Sequence, residues 1–389
     1  PESRWPTLSH RQSVPDGVPP SVAVGLDPQP RRQRVAARVA APLPRALRGY
    51  RRVRSSRPPT QCRAAGTDPH TRGSDAHVAT TRASRASRSL HDVSRDTRGS
   101  PGWTSIAYVD AIETAIERAA ERIRAADALV ITAGAGLGVD SGLPDFRGTH
   151  GFWRAYPALG AAGIRFEAIA SPDAFRAEPR RAWAFYGHRL ALYRRTRPHA
   201  GFQLLRRWAA RMPHGYTVFT SNVDGQFHAA GFDVARVHEC HGSMHVLQCL
   251  APCSDDLWSA DGFEPDVHEA AFALRGELPR CPRCSGLARP NVLMFGDGEW
   301  IDVRTAAQDA RQRAWLAGVR RPVVVELGAG TAIPSVRWFG ESVCRRYGSR
   351  LVRINPRESA VPGAEDVALP LRSLAALTAI DAVLEREIG

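Results

Sequence analysis

Four short apolar runs, each closed by glycine or small polar residues, restrict the fold of this chain more than any other feature of its sequence. They begin at Ala128, Tyr216, Val323 and Leu351, and the residues after them include GAG, SNVDG, GAGT and NP. Short uninterrupted apolar runs are typical of strands buried on both faces of a parallel sheet. Because ligands bind outside the carboxyl ends of such strands, the pattern predicts a doubly wound, Rossmann-like α/β fold with a nucleotide site there.

An amphipathic helix is predicted just before the first run. Ile112, Ile116, Ala119 and Ile123 recur at helical spacing, with charged residues between them. One apolar stripe of this kind packs against a sheet while the other face remains in water. The folded domain is therefore expected to comprise residues 104–389.

The positive charge of the chain is concentrated in its first quarter. The sequence contains no lysine, so all 53 Lys+Arg residues are arginine. Residues 1–100 carry 19 arginines and 7 acidic residues, a net charge of +12, and residues 101–389 carry the other 34 arginines and 32 acidic residues, a net of +2. This division argues against a protein that coats nucleic acid with its whole surface.

Residues 1–103 are predicted to form a disordered, Arg-rich tail, because low apolar content with high charge leaves too little surface to bury. Three interpretations stay open: a basic arm that contacts nucleic acid, a solvated tail, or an over-extended gene start, since residue 1 is Pro rather than Met. No apolar run approaches the roughly eighteen residues that span a bilayer, and no secretory signal is recognisable. We therefore expect a cytoplasmic protein without a membrane partner.

Four of the seven cysteines form two tight pairs, Cys249 with Cys253 and Cys281 with Cys284, and 27 residues separate the pairs. In a chain that is not secreted, such pairs indicate a metal site before disulfides. Four thiolates complete the tetrahedral shell of Zn²⁺ and leave no open position, so the predicted zinc is structural and belongs to a module at residues 249–286. The alternative is four reduced thiols in a small core.

The turn after the first apolar run, residues 134–136 (GAG), allows backbone to approach a phosphate closely. The third glycine of a dehydrogenase fingerprint would fall at Val139, so this is not a dehydrogenase loop. Residues 145–147 (DFR) then offer an acid, an aromatic ring and a guanidinium, which we expect to cover a bound nucleotide. The alternative is a surface loop built around a proline turn.

Four strings resemble, in order, the signatures of the sirtuin family of NAD-dependent protein-lysine deacylases. They are AGAGLGVDSGLPDFRG at 133–148, TSNVDGQFHAAGF at 220–232, ECHG at 239–242 and RPNVLMFGD at 289–297. The resemblance covers about residues 104–389. It implies an NAD-binding domain with a helical insertion at residues 150–200 and a smaller zinc module.

The resemblance also implies site residues. His241 would be the general base, a role that suits a side chain whose pKa lies near neutrality. Asn222 and Asp224 would act beside the cationic sugar of the reaction. Cys240 is predicted to face the core rather than to pair with His241, because neighbours on an extended segment point to opposite sides. The implied cofactor-binding residues are Gly134, Ala135, Gly136, Asp145, Phe146, Arg147, Ser221, Asn222, Val223, Asp224, Gly328, Gly330 and Asn355.

The chain departs from the family pattern at several positions. Ser221 stands where Gln is usual, Gly138 where Ser is usual, and residues 330–331 blur the usual Gly-Thr-Ser. The first cysteine pair is C-x-x-x-C rather than C-x-x-C. These changes bear on rate and substrate preference, and they leave the base, the amide and the acid in place.

The acyl group is predicted from Tyr186 and Arg189, which lie three apart on one face of a helix. A phenol and a guanidinium suit an acidic acyl end such as succinyl, malonyl or glutaryl, and sirtuins with that preference carry a similar Tyr-x-x-Arg. The alternative is an Arg exposed to water on a helix of a plain deacetylase.

The implied reaction releases nicotinamide, transfers the acyl group to ADP-ribose and frees the lysine of a protein or peptide. Two other functions stay open. One is NAD-dependent mono-ADP-ribosyl transfer or NAD hydrolysis at the same site, and the other is a non-catalytic zinc protein whose basic tail contacts DNA. Nucleic acid is otherwise not an expected partner, and the sequence does not predict an oligomeric state.

Overall fold

The computed structural model describes residues 101–144 and 148–386. The tail of residues 1–100 and the loop at residues 145–147 lie outside the described residues, so the predictions made for them stay predictions. In the described part of the chain, no helix is long and apolar enough to cross a membrane.

The helices, in chain order, are α1 (Pro101–Arg124), α2 (Gly148–Ala155), α3 (Pro157–Ala161), α4 (Phe166–Ile169), α5 (Pro172–Ala177), α6 (Pro179–Arg195), α7 (Gly201–Ala210), α8 (Gln226–Ala229), α9 (Val303–Ala317), α10 (Ser335–Tyr347) and α11 (Ser373–Arg386). The strands are β1 (Ala128–Ala133), β2 (Tyr216–Thr220), β3 (Val237–Glu239), β4 (Gly242–Cys249), β5 (Leu257–Ser259), β6 (Val267–His268), β7 (Ala273–Leu274), β8 (Ala288–Val292), β9 (Pro322–Leu327), β10 (Leu351–Ile354) and β11 (Val367–Leu369). Two 3₁₀ turns lie at Ala135–Ser141 and Val234–Arg236.

Six strands form one parallel sheet in the order β11-β10-β9-β1-β2-β3. The chain builds this sheet outward from β1 in one direction and then, from β9, in the other. The order therefore reverses between β1 and β9, and in an open sheet this switch point leaves a crevice at the carboxyl ends. The predicted doubly wound α/β fold is confirmed.

The strands of this sheet are mostly apolar because both of their faces are covered. In β1, Leu129 and Ile131 pack in a core with α1, α7 and α11, whereas Ala128 and Val130 pack against α9 and α10. Side chains alternate between the faces of a strand, so a strand with helices on both sides accepts a charged residue only with a partner, as Glu326 of β9 pairs with Arg353 of β10.

A second, smaller lobe is built from α2 to α6 and a three-stranded antiparallel sheet in the order β5-β4-β8. Its core is aromatic: Phe152, Phe175, Trp183 and Phe185 are fully buried together. Nε1 of Trp183 donates to the carbonyl of Ala288 at 3.0 Å. This bond joins α6 to β8, so the helices and the small sheet form one packed lobe.

Candidate active site and zinc centre

The turns that follow β1 and β9 touch each other at the switch point. The backbone N–H of Gly136 donates to the carbonyl of Gly328 at 3.0 Å, and that of Gly134 donates to Leu327 at 2.9 Å. Gly328 has a φ of +60°, and a Cβ there would lie 2.4 Å from the carbonyl carbon of Gly136. Glycine is thus required for the two turns to meet.

Both amide groups at Gly134 and Gly136 are therefore engaged within the protein. The structure gives these glycines a packing role, and their predicted contact with a cofactor stays a prediction. Ala135 opens the 3₁₀ turn Ala135–Ser141 directly after β1. The N–H groups of Gly136 and Leu137 in this turn are bonded to the carbonyls of Gly328 and Gly134, so the turn is braced at the carboxyl end of the sheet.

The segment after β2 is fastened to the same end of the sheet. The side-chain amide of Asn222 donates to the carbonyl of Gly134 at 3.1 Å, and the backbone N–H of Ser221 donates to Ala133 at 3.2 Å. Asp224 is buried, and its Oδ1 accepts the N–H of Gln226 at 2.9 Å. Burial raises the pKa of Asp224 to about 6, against the opposing effect of that hydrogen bond.

His245, which the sequence analysis did not single out, supports this segment from the small lobe. Its Nε2 lies 3.0 Å from the backbone carbonyl of Asp224. Gly225, with a φ of +72°, leaves space for the His245 ring, since a Cβ at this position would lie 2.8 Å from that ring. No motif pointed to this contact, because it joins β4 to a turn twenty residues earlier.

His241 lies between β3 and β4 and is half-buried. Its backbone carbonyl accepts the N–H of Leu293 at 3.0 Å, and its Nε2 lies 3.4 Å from Oγ of Ser335. Burial lowers the pKa of His241 to about 4, and the charge of His238 acts in the same direction. The imidazole is therefore neutral at physiological pH, which is the form that accepts a proton, but the predicted pKa near neutrality is wrong because burial disfavours the charged ring.

The two residues before His241 have structural contacts of their own. Glu239 is buried and forms an ion pair with Arg304, and Nε2 of His228 lies 3.4 Å from the same carboxylate oxygen. Cys240 packs against the cluster that contains Phe219, and burial raises the pKa of its thiol. A half-buried thiol with a raised pKa stays neutral and is a poor nucleophile, in agreement with its predicted core-facing role.

Asn355, predicted to bind the adenosine ribose, is fully buried. Its amide donates to the carbonyl of Ala329 at 2.9 Å, and its Oδ1 accepts the N–H groups of Arg357 and Glu358 at 3.0 and 3.1 Å. The side chain thus holds the turn after β9 against the turn after β10. Any contribution to cofactor binding would act through that loop geometry.

Glu358 is a further residue at the strand ends that sequence reasoning missed. Its carboxylate accepts the N–H and the hydroxyl of Thr331 at 3.1 and 3.0 Å. A Cβ at Gly330 would lie 3.4 Å from Oε2 of Glu358. An acidic side chain shortly after a Rossmann-like strand could have indicated it, because such acids bind ribose hydroxyls.

The four paired cysteines meet, as predicted. Their Sγ atoms all lie within 4.8 Å of one another, with Cys249 to Cys284 at 3.7 Å and Cys253 to Cys281 at 3.6 Å. A Zn–S bond of about 2.3 Å in tetrahedral geometry gives sulfur–sulfur edges of about 3.8 Å, whereas a disulfide needs about 2.05 Å. The donor set therefore fits a closed zinc site.

Tyr186 and Arg189 both lie on α6 and are buried, with 1% and 8% of their surfaces exposed. The alternative of a water-exposed Arg189 is therefore wrong. Nε and Nη2 of Arg189 donate to the hydroxyl of Tyr193 at 3.0 and 2.7 Å, and the rings of Phe185 and Tyr193 lie 5.2 and 5.5 Å from the guanidinium carbon. Burial raises the pKa of Tyr186, so its phenol remains a neutral donor.

The motif at residues 289–297 has a structural explanation. Arg289 and Asp297 form a two-pronged ion pair at 2.8 Å for both bonds, with both side chains fully buried. The same carboxylate accepts the backbone N–H groups of Met294 and Glu299. The pair thus closes the loop after β8, the strand that continues to Leu293 beside His241.

Comparison with known proteins gives consistent results. A model described as the Sir2 family matches residues 134–319. An NAD-dependent protein deacylase of Pyrococcus furiosus is 31% identical over 231 residues, which are 59% of this chain and 81% of that protein. An NAD-dependent protein deacylase sirtuin-5, mitochondrial, of Danio rerio is 31% identical over 203 residues, which are 48% of this chain and 63% of that protein. A solved structure of a Sir2 enzyme matches with a TM-score of 0.51 at 26% identity, over 71% of this chain and 99% of that one.

Proposed function

Because this chain belongs to the Sir2, or sirtuin, family, we propose that it is an NAD-dependent enzyme that removes acyl groups from protein lysine. The observation that carries the proposal is the neutral, half-buried imidazole of His241 beside the strand-end crevice, by which we mean the space outside the carboxyl ends of β9, β1, β2 and β3. A relative from Pyrococcus furiosus with the same described activity supports it, since the match covers 81% of that protein.

The chemical groups at the crevice match those that would bind NAD. Turns of small residues let a cofactor approach the backbone closely, and the amide of Asn222 and the carboxylates of Asp224 and Glu358 suit ribose hydroxyls or positive charge. When bound, NAD supplies an electrophilic ribose carbon and takes the acyl group as O-acyl-ADP-ribose. Above about pH 6 the Asp224 carboxylate is ionised and adds negative charge to the crevice.

In this proposal the Nε2 atom of His241 accepts a proton from a hydroxyl group of the ribose. Its low pKa keeps that nitrogen unprotonated, and its half-buried position limits exchange with bulk water. The zinc takes no part in proton transfer, because four cysteines fill its coordination shell. Its role is to hold the last residue of β4 against the start of β8, at the end of this strand pair opposite to His241.

Thiol ligands of this kind persist in a reducing compartment, and the described cysteines form no disulfide. We propose a cytoplasmic location on this ground. Its partners are acylated proteins or peptides, bound through extended backbone between the two lobes, as clefts with exposed strand segments favour strand addition.

The proposal predicts NAD-dependent deacylation of lysine peptides. We expect the recombinant chain to convert acetyl- and succinyl-lysine peptides only with NAD, with nicotinamide, free peptide and O-acyl-ADP-ribose formed in equal amounts. The chain contains no lysine, so every acyl-lysine signal in a mass spectrum comes from the peptide. Nicotinamide release without loss of the acyl group would instead establish NAD hydrolysis or ADP-ribosyl transfer.

For the acyl group, we propose an acidic chain such as succinyl. The supporting feature is the buried guanidinium of Arg189, which Tyr193 holds by two hydrogen bonds and two aromatic rings flank. A cation fixed among apolar rings binds a carboxylate more strongly than one in water, because the local dielectric constant is low.

Arg189→Met should lower kcat/KM for a succinyl peptide roughly 10- to 100-fold, the value of one charge-assisted contact, and change the acetyl value much less. Tyr193→Phe should lower succinyl turnover by a smaller factor, because it removes only the acceptor that orients Arg189. Arg195→Met, at an exposed position of the same helix, is the control. Equal losses for both peptides would mean that Arg189 only supports the fold.

A further inference from the structure

The imidazole of His241 has a hydrogen-bond partner from the far side of the crevice. Nε2 of His241 and Oγ of Ser335 are 3.4 Å apart, although the two residues are separated by 94 positions in the sequence. His241 follows the edge strand β3, whereas Ser335 is the first residue of α10, after the turn that leaves β9. The ends of β1 and β2 lie between those strands, so the contact connects the two sides of the strand-end crevice.

We propose that Ser335 is a positioning residue for the base: its hydroxyl donates to Nε2 and holds that nitrogen toward the turn at residues 328–334. This inference rests on the proposed function, because only a base needs one particular ring nitrogen aimed at its substrate. Nothing in the motifs pointed to Ser335, which lies outside all of them.

The chemistry of a general base selects the direction of this bond. To accept a proton at Nε2, the neutral ring must carry its hydrogen on Nδ1 and keep a lone pair on Nε2. A serine hydroxyl can donate to that lone pair, and it can rotate away when a substrate hydroxyl takes its place. An alanine would leave the ring free to turn about χ2, for which His has a broad range.

The backbone around Ser335 is also rigid enough to hold the His241 ring in one orientation. Pro334 precedes it and α10 follows it at once, so the backbone that carries the hydroxyl is restrained on both sides. Arg337, the nearest charged residue on α10, is engaged elsewhere: it donates to the carbonyls of Ala329 and Glu358. The serine hydroxyl is thus the group that α10 presents to the ring.

The first test is the ring itself, in the NAD-free protein. Nitrogen-15 NMR of histidine-labelled enzyme at neutral pH should show His241 with hydrogen on Nδ1 and a hydrogen-bonded, unprotonated Nε2. In Ser335→Ala, the Nε2 resonance should move toward that of a free acceptor, and Ser335→Thr should restore it. Ser342 lies on the same helix, and its hydroxyl donates to the carbonyl of Phe339. Ser342→Ala should therefore leave the Nε2 resonance of His241 unchanged.

The second test is kinetic. Loss of one neutral hydrogen bond to the base should lower kcat of Ser335→Ala by roughly 2- to 12-fold and leave KM for NAD within a factor of two. Hydrogen on Nε2 in the wild type, or an unmoved Nε2 resonance in Ser335→Ala, would overturn the role of Ser335. If the wild type releases no nicotinamide, the proposed function fails, and the NMR result still decides which atom donates.

Discussion

His241→Ala should abolish acyl transfer while the variant continues to bind NAD. Removal of a general base costs on the order of 10²- to 10⁴-fold in rate. The two nearest candidates in the chain are poor substitutes, because His238 is buried and bonded to Gln312, and Cys240 is a half-buried thiol whose pKa is raised. Deacylation of a succinyl peptide and calorimetric NAD binding, measured on the same preparation, test both halves of the prediction.

The control is His214→Ala, an exposed histidine that precedes β2 at the amino end of the sheet. It should retain wild-type turnover.

The pH dependence gives a second check on the base. Because the pKa of His241 is lowered to about 4, the imidazole is already deprotonated at pH 6, so its protonation should not reduce kcat/KM between pH 8 and pH 6. Unchanged turnover in His241→Ala would refute the assigned base.

The central sheet was predictable because its strands are buried on both faces. The runs from Tyr216 and from Leu351 match β2 and β10 at both ends, and the other two match β1 and β9 to within one residue. β3 and β11 were not predicted. Each has only three residues, too few to show a period, and β3 exists because β2 offers it a parallel partner.

The candidate site also contains some residues that the sequence could predict and others that it could not. Residues carried by contiguous motifs, such as Asn222, Asp224 and His241, could be selected as candidates from the sequence. Their partners were not, because Ser335 reaches His241 only after the chain has completed the small lobe and returned to β9. Asn355 shows the converse: the motif selected the residue, but its burial and its three internal hydrogen bonds could not be predicted from a dipeptide.

The zinc centre connects the stability of the small lobe to the base. Cys249 is the last residue of β4, and Cys281 and Cys284 lie just before β8. These two strands pair with each other, β4 starts directly after His241, and the residue after β8, Leu293, bonds to the His241 carbonyl. Loss of the metal should therefore displace the base, although the metal performs no chemistry.

Removal of zinc should unfold the small lobe and abolish activity. A structural Zn²⁺ contributes about 10–16 kcal/mol in small zinc-binding peptides, which is comparable with the roughly 5–15 kcal/mol that stabilises a whole domain. We expect one zinc per chain by elemental analysis, a large fall in the thermal unfolding midpoint with a chelator, and recovery when zinc is restored.

Cys281→Ser should behave like the enzyme without zinc, because the metal site loses one of its four thiolate ligands. Cys344→Ser, a half-buried thiol on α10 outside the cluster, should retain zinc and activity. A metal-free preparation with wild-type melting and turnover would show that the four thiols form a small core rather than a zinc site.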